Sequence, residues 1–189
     1  MSTPHDIAVI VGSLRKDAFS RHTAHALAAL APKGIALSIV EIGDLALYNQ
    51  DLDAAPPAAP PAPWNAFRSR IKAAQGVLFV TPEYNRSVPG ALKNAIDVGS
   101  RPYGASAWAG KPAGVASVSP GALGAFGANH HLRQMLVFLD MPVMQQPEAY
   151  LGGVGKWFDA DGKLIDKSAE EFLQKFIDAY AKWVARFAA

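Results

Sequence analysis

Five short apolar runs punctuate the chain. "IAVIV" (7–11), "IALSIVEI" (35–42), "GVLFVT" (76–81), "AGVASVS" (113–119) and "MPVM" (141–144) are bounded by polar, Gly or Pro positions, the mark of strands. Between them lie longer stretches with apolar residues every three or four positions, over about 19–31, 63–74, 89–99 and 125–139; that period belongs to helices. A last stretch, 168–187, sets Phe172, Phe176, Ile177, Tyr180, Trp183, Val184 and Phe187 on one face, which predicts a helix laid against the core.

Strand then helix, repeated five times, predicts parallel strands joined by crossover helices. "IAVIV" and "VLFV" are apolar on consecutive residues, as expected where helices cover both faces of a sheet. The first and third strands should therefore be central. The pattern predicts an α/β architecture of three layers around a doubly wound five-stranded parallel sheet, order 2-1-3-4-5, whose ligand crevice opens at the carboxyl ends of strands one and three. "AAPPAAPPAP" (54–63) is uncharged and low in complexity and reads as a surface excursion before the second helix. Only two strands and one helix precede it, so residues 1–189 are expected to form a single domain.

Composition then narrows the chemistry. The 189 residues contain no cysteine, which excludes disulfides, thiol nucleophiles and Cys-ligated metal centres. Redox chemistry would need a borrowed cofactor. Formal net charge is +2 with basic residues scattered, so no nucleic-acid footprint is visible. No segment approaches the roughly 18 apolar residues of a membrane-spanning helix, and the N-terminal apolar run is too short for a signal peptide. A cytoplasmic protein with neither membrane nor nucleic-acid partner is expected. His22 and His25 are three apart and His130 and His131 adjacent; solvated or capping roles suit them better than a metal, and none is predicted.

The candidate chemistry lies in three loops that follow strands. After the first come Gly12, Ser13, Leu14 and Arg15, with Ser20 a few residues on. Turn and helix-terminal N–H groups, two hydroxyls and a guanidinium fork make an anion site suited to phosphate. The plain alternative is a turn at Gly12, a helix cap at Ser20 and a solvated Arg15. The stretch matches neither the dinucleotide fingerprint nor the P-loop. After the third strand, Pro82 and Pro89 bracket Glu83, Tyr84 and Asn85, where a planar aromatic beside polar backbone suits a ring ligand, or where Tyr84 covers the loop and Asn85 caps it. After the fourth, "SVSPGALGAFG" (117–127) offers glycines and serines that permit close approach.

With these loops in view the chain resembles the NAD(P)H-dependent FMN reductase family, and within it the bacterial quinone and chromate reductases. The resemblance runs from Ile7 to about Gly153. It is carried by Gly12-Ser13-Leu14-Arg15-Lys16 with Phe19, by Pro82-Glu83-Tyr84-Asn85, by Ser87-Val88-Pro89-Gly90, and by Leu92-Lys93-Asn94-Ala95-Ile96-Asp97; "LALYNQDLD" (45–53) and "HLRQMLVFLDMPVM" (131–144) are also similar. The resemblance implies a flavodoxin-like fold with non-covalent FMN. Ser13, Leu14, Arg15 and Ser20 would surround the phosphate, Pro82, Glu83, Tyr84, Asn85 and Arg86 would hold the isoalloxazine, and Ser119 and Gly121 would close the other side. It further implies NADPH or NADH as co-substrate, a quinone, free flavin, azo dye or chromate as acceptor, no catalytic side chain for the hydride step, and a homodimer or homotetramer. The chain departs from the pattern at Asp17, at Ala18 where relatives have Ser, and at Ala125, which ends the motif carried by Ser119, Gly121 and Gly124. The competing expectations are a flavodoxin-type electron carrier served by a protein partner and a flavin-free interaction domain on the same fold.

Overall fold

The computed structural model describes residues 3–53 and 59–187. The first half of the proline-alanine excursion, 54–58, thus lies outside the described residues, and its last residues enter the second helix. Five strands, β1 (His5–Val11), β2 (Ile35–Val40), β3 (Gly76–Thr81), β4 (Ala113–Val118) and β5 (Ala149–Leu151), form one parallel sheet in the order β2-β1-β3-β4-β5. The helices are α1 (Phe19–Ala29), α2 (Ala62–Ala73), α3 (Gly90–Gly99), α4 (Phe126–Phe138) and α5 (Lys167–Ala185). The expected topology and helix positions are met, with boundaries shifted by a residue or two at most of them.

The consecutive apolar runs have the meaning their pattern suggested. All six residues of β3 and of β4 are buried, whereas β2, at the edge, is half exposed. Alternate residues feed two cores. Ile7, Val9 and Val11 with Leu78 and Val80 pack under α1 and α5, where Leu27, Leu173, Phe176, Ile177 and Tyr180 meet them. Ala8, Ile10, Val77 and Phe79 pack under α2, α3 and α4, against Trp64, Phe67, Leu92, Trp108 and Leu132. The α5 stripe is core-facing as expected at Phe176, Ile177, Tyr180 and Val184, and frays into solvent at Phe187.

The fifth strand departs from expectation. "MPVM" makes only one bridge to β4, Val143 opposite Ala113, and the strand proper starts at Ala149, opposite Ala116. Three steps along β4 are matched by six along the edge. Pro142 and Pro147 have no N–H to give to a ladder, so the edge strand breaks between them. The segment keeps its place beside β4 through Ala113 N–H to Pro142 O at 2.9 Å and Met144 N–H to Ala113 O at 2.8 Å.

The loop from β2 to α2 is tied down by side chains distant in sequence. Arg68, on α2, donates both terminal nitrogens to Asp53 at 2.8 and 2.7 Å and Nε to Val98 O at 2.8 Å, with both side chains of the pair less than a tenth exposed. Asn94 on α3 accepts from Tyr48 N–H at 2.8 Å and donates to the carbonyls of Leu45 and Ala46 at 3.0 Å. The guanidinium beside Asp53 holds its carboxyl below the ordinary carboxylate range, against the opposing effect of burial.

Candidate functional site

The carboxyl ends of β1 and β3 meet directly, with Gly12 N–H donating to Val80 O at 2.9 Å. A cleft of about 310 Å³ opens there, and Gly12, Ser13, Leu14, Arg15, Tyr84, Pro89, Gly90 and Ala91 line it. Two of the three predicted loops are thereby brought into one place. In the first, Ser13 Oγ accepts from Arg15 N–H at 3.2 Å, which bends the chain and leaves the hydroxyl proton to give. The Arg15 side chain is exposed and makes no ion pair or hydrogen bond among the described residues.

Ser20 is not a helix cap. Ala18 occupies that position in extended conformation with no side-chain bond, and Ser20 lies inside the first turn, 1% exposed, its hydroxyl without a partner. A buried orphan hydroxyl costs about 1–3 kcal/mol unless something else satisfies it. An anion at this helix terminus would do so, with the helix N–H groups adding to its binding. The residues present therefore fit a phosphate group. Asp17 is exposed, so its carboxylate can stay in water.

In the second loop, Tyr84 and Ser87 exchange both backbone hydrogen bonds at 2.9 Å, and Asn85 and Arg86 between them hold φ of 51° and 64°. This is a tight turn with two left-handed residues, a conformation that Asn tolerates and Arg adopts only at a cost of about 1 kcal/mol or more. It presents the Tyr84 ring 55% exposed. Glu83 points the other way, its Oε2 accepting from Ala128 N–H at 3.0 Å in the first turn of α4, while Oε1 lies 3.4 Å from Arg86. Gly127 lets the turn sit against α4; a Cβ there would be 2.7 Å from the Arg86 carbonyl oxygen.

Ser119 and Gly121 belong to the neighbouring β4–α4 loop and do not line this cleft. Ser119 Oγ accepts from Gly121 N–H at 3.0 Å, and the loop ends in two left-handed residues, Gly124 and Ala125 at φ of 57° and 58°. Alanine in that conformation is strained by about 1–2 kcal/mol. Ala125→Gly should therefore raise the thermal midpoint by about 2 °C, a net gain of under 1 kcal/mol after the extra freedom of unfolded glycine is subtracted. A lower midpoint in calorimetry would show that the strain is relieved elsewhere.

Polar residues that the sequence reading did not single out support these loops. Ser117 and Asn129 are fully buried and, with Arg133, form a hydrogen-bonded chain beneath the β4–α4 loop. Their one signal was a polar residue at a core position. At the end of β5, Tyr150 donates to Glu148 at 2.8 Å and lies 3.0 Å from His130 Nε2; burial, aided by Glu148, pushes its hydroxyl up to about 12, so it stays protonated. A larger groove of about 810 Å³ between α3 and α4 holds none of the predicted residues. No group of three or more metal-ligating side chains occurs among the described residues, and no described helix is long and apolar enough to cross a membrane.

A doubly wound parallel sheet of this order, with a turn suited to an anion and an exposed aromatic at its switch point, defines a flavodoxin-like α/β protein. The chain belongs to the NADPH-dependent FMN reductase family, which it matches over residues 5–156. It is 63% identical over 184 residues to a quinone reductase of Pseudomonas putida, covering 97% of each chain, and 47% identical over 178 residues to a 2-hydroxy-1,4-benzoquinone reductase of a Burkholderia species, covering 94% of this chain and 95% of that one. Among solved structures it is similar to FerB, a flavoenzyme NAD(P)H:(acceptor) oxidoreductase of Paracoccus denitrificans, with a TM-score of 0.89, 40% identity and coverage of 98% and 100%.

Proposed function

We propose that this chain is an NAD(P)H-dependent flavin oxidoreductase that passes hydride from NAD(P)H, through non-covalently bound FMN, to a quinone or a similar small acceptor. The observation that carries the reading is the cleft itself, lined by the exposed Arg15, which has no ion pair among the described residues, by the phosphate-ready turn and by the exposed ring of Tyr84. The similarity to quinone reductases and to an NAD(P)H:(acceptor) oxidoreductase supports it over an electron carrier.

Bound FMN supplies the hydride chemistry, and the protein binds, orients and shields. In this reading Ser13, Leu14, Arg15 and Ser20 hold the phosphate. Pro82, Glu83, Tyr84, Asn85 and Arg86 form the turn against which the ring lies, largely through backbone, since the Glu83 carboxylate is engaged by α4. Ser119 and Gly121 close the opposite side. No side-chain acid or base is assigned to the hydride step. An open cleft suits acceptors of varied shape, so azo dyes and chromate belong beside quinones in the assay. Homo-oligomer formation in the cytoplasm completes the proposal.

Purified protein loaded with FMN should oxidise NADPH or NADH when 1,4-benzoquinone is added, with no protein partner present. Activity only upon addition of a separate reductase protein would make it a carrier. Failure to take up FMN at all would leave an interaction domain on this fold.

A further inference from the structure

The β4–α4 loop is held from below by a chain of polar side chains, two buried and one half-buried, that none of the roles above uses. Arg133 donates Nε to Asn129 Oδ1 at 2.9 Å and Nη1 to Met144 O at 3.0 Å. Asn129 Nδ2 donates to Ser117 Oγ at 3.1 Å, and Ser117 Oγ donates to Gly124 O at 2.7 Å. Ser117 and Asn129 are fully buried. Met144 O fixes Arg133, Arg133 fixes the amide of Asn129 so that its N–H groups face Ser117 and Ala149 O, and the serine proton goes to the Gly124 carbonyl, the nearer acceptor at 2.7 Å against 3.3 Å for Ala149 O.

That carbonyl has a partner group on the other side of the same peptide. A trans peptide carries its N–H opposite to its C=O, so holding Gly124 C=O on Ser117 turns Ala125 N–H away from the buried hydroxyl. Ala125 N–H finds no acceptor among the described residues. Gly124 packs directly on the Tyr150 backbone, which leaves no room for a Cβ between the loop and β5. The peptide is thus buried, with its carbonyl satisfied by Ser117 and its N–H without a protein partner among the described residues.

We propose that Ser117, aligned by Asn129 and Arg133, is a positioning residue that aims the Gly124–Ala125 peptide N–H at the ring end of the bound flavin. The inference rests on the cofactor reading above. Ser117 touches no ligand; it acts through the peptide, and its influence falls on the ring and leaves the phosphate end alone.

The test compares FMN with riboflavin, which has the ring but lacks the phosphate. In wild-type protein both should quench on titration. Ser117→Ala should weaken both by the same factor, about tenfold for one hydrogen bond of ordinary net worth, and should alter the visible circular dichroism of bound FMN. Asn129→Asp provides a second route: its carboxylate still accepts from Arg133 but draws the Ser117 proton away from Gly124, so the same parallel loss is expected. Ser117→Cys, a weak donor of similar size, should recover part of the affinity and the spectrum. Unchanged riboflavin affinity and spectrum in a folded Ser117→Ala or Asn129→Asp protein would overturn the inference, as would a loss confined to FMN. Wild-type protein that binds neither flavin would overturn the cofactor reading and this inference with it.

Discussion

Arg15→Ala is expected to weaken FMN binding by about 10- to 100-fold while leaving riboflavin affinity unchanged. A charge-assisted hydrogen bond to phosphate is worth about 1.5–3 kcal/mol, and in this protein the guanidinium is free of any competing carboxylate among the described residues. Because the side chain is exposed, its removal should cost little stability. Fluorescence titrations with the two flavins at low and moderate salt would check this, since the lost contact is also the salt-sensitive one. Equal losses for FMN and riboflavin would place the phosphate elsewhere.

The largest stability effect should come from Arg68→Ala. Removing one member of a buried ion pair leaves the other charge uncompensated and costs about 3–5 kcal/mol, here on a pair whose side chains are 8% and 3% exposed. At this chain length the thermal midpoint should fall by about 10 °C. The pH dependence fixes the cause. Asp53 is depressed in the folded state chiefly by its hydrogen bonds to Arg68, so the pair's contribution is fully present above the unfolded carboxyl pKa of about 4. It is lost as pH falls further, through the depressed native value. The gap in midpoint between wild type and variant should therefore narrow below about pH 4. A gap that stays constant with pH would mean that the loss is one of packing, including the Arg68 stacking on Trp64 at 5.6 Å.

The two effects bear differently on function. In the proposed reading Arg15 acts on the ligand directly. Arg68 acts on the loop from β2, which Asp53 and Asn94 fasten to α2 and α3 near the cleft's far wall, Gly90 and Ala91 being the first residues of α3. An FMN affinity loss in Arg68→Ala that disappears on cooling would trace to that loop's fraying and not to a lost ligand contact.

Much of the fold was legible because its signals are local. Runs such as "IAVIV" announce two-sided burial within five residues, and the α5 stripe announces its face within five turns. The first-strand loop suggested an anion site through its residue types, beside the plain alternative of a turn, a cap and a solvated arginine. Where the reading went astray, the cause was non-local. "MPVM" has the composition of a strand, but Pro142 and Pro147 deny it ladder donors, and pairing with β4 resumes only at Ala149. For Ser20 the sequence left a helix cap open beside an anion contact, and the structure removes only the cap, because Ala18 holds that position and Ser20 lies buried inside the first turn.

By itself the sequence determined the order of strands and helices, the central place of β1 and β3, and the position of the loops that follow β1, β3 and β4. These follow from hydrophobic periodicity and from backbone preferences that act over a few residues. Only the tertiary structure decided which polar side chains serve the loops from beneath. Arg68 with Asp53, Asn94 with the carbonyls of Leu45 and Ala46, Glu83 with Ala128 and Asn129 with Ser117 are pairs separated by 12 to 49 positions. Their partners are fixed by packing, because a buried polar group must find a mate wherever the fold places one.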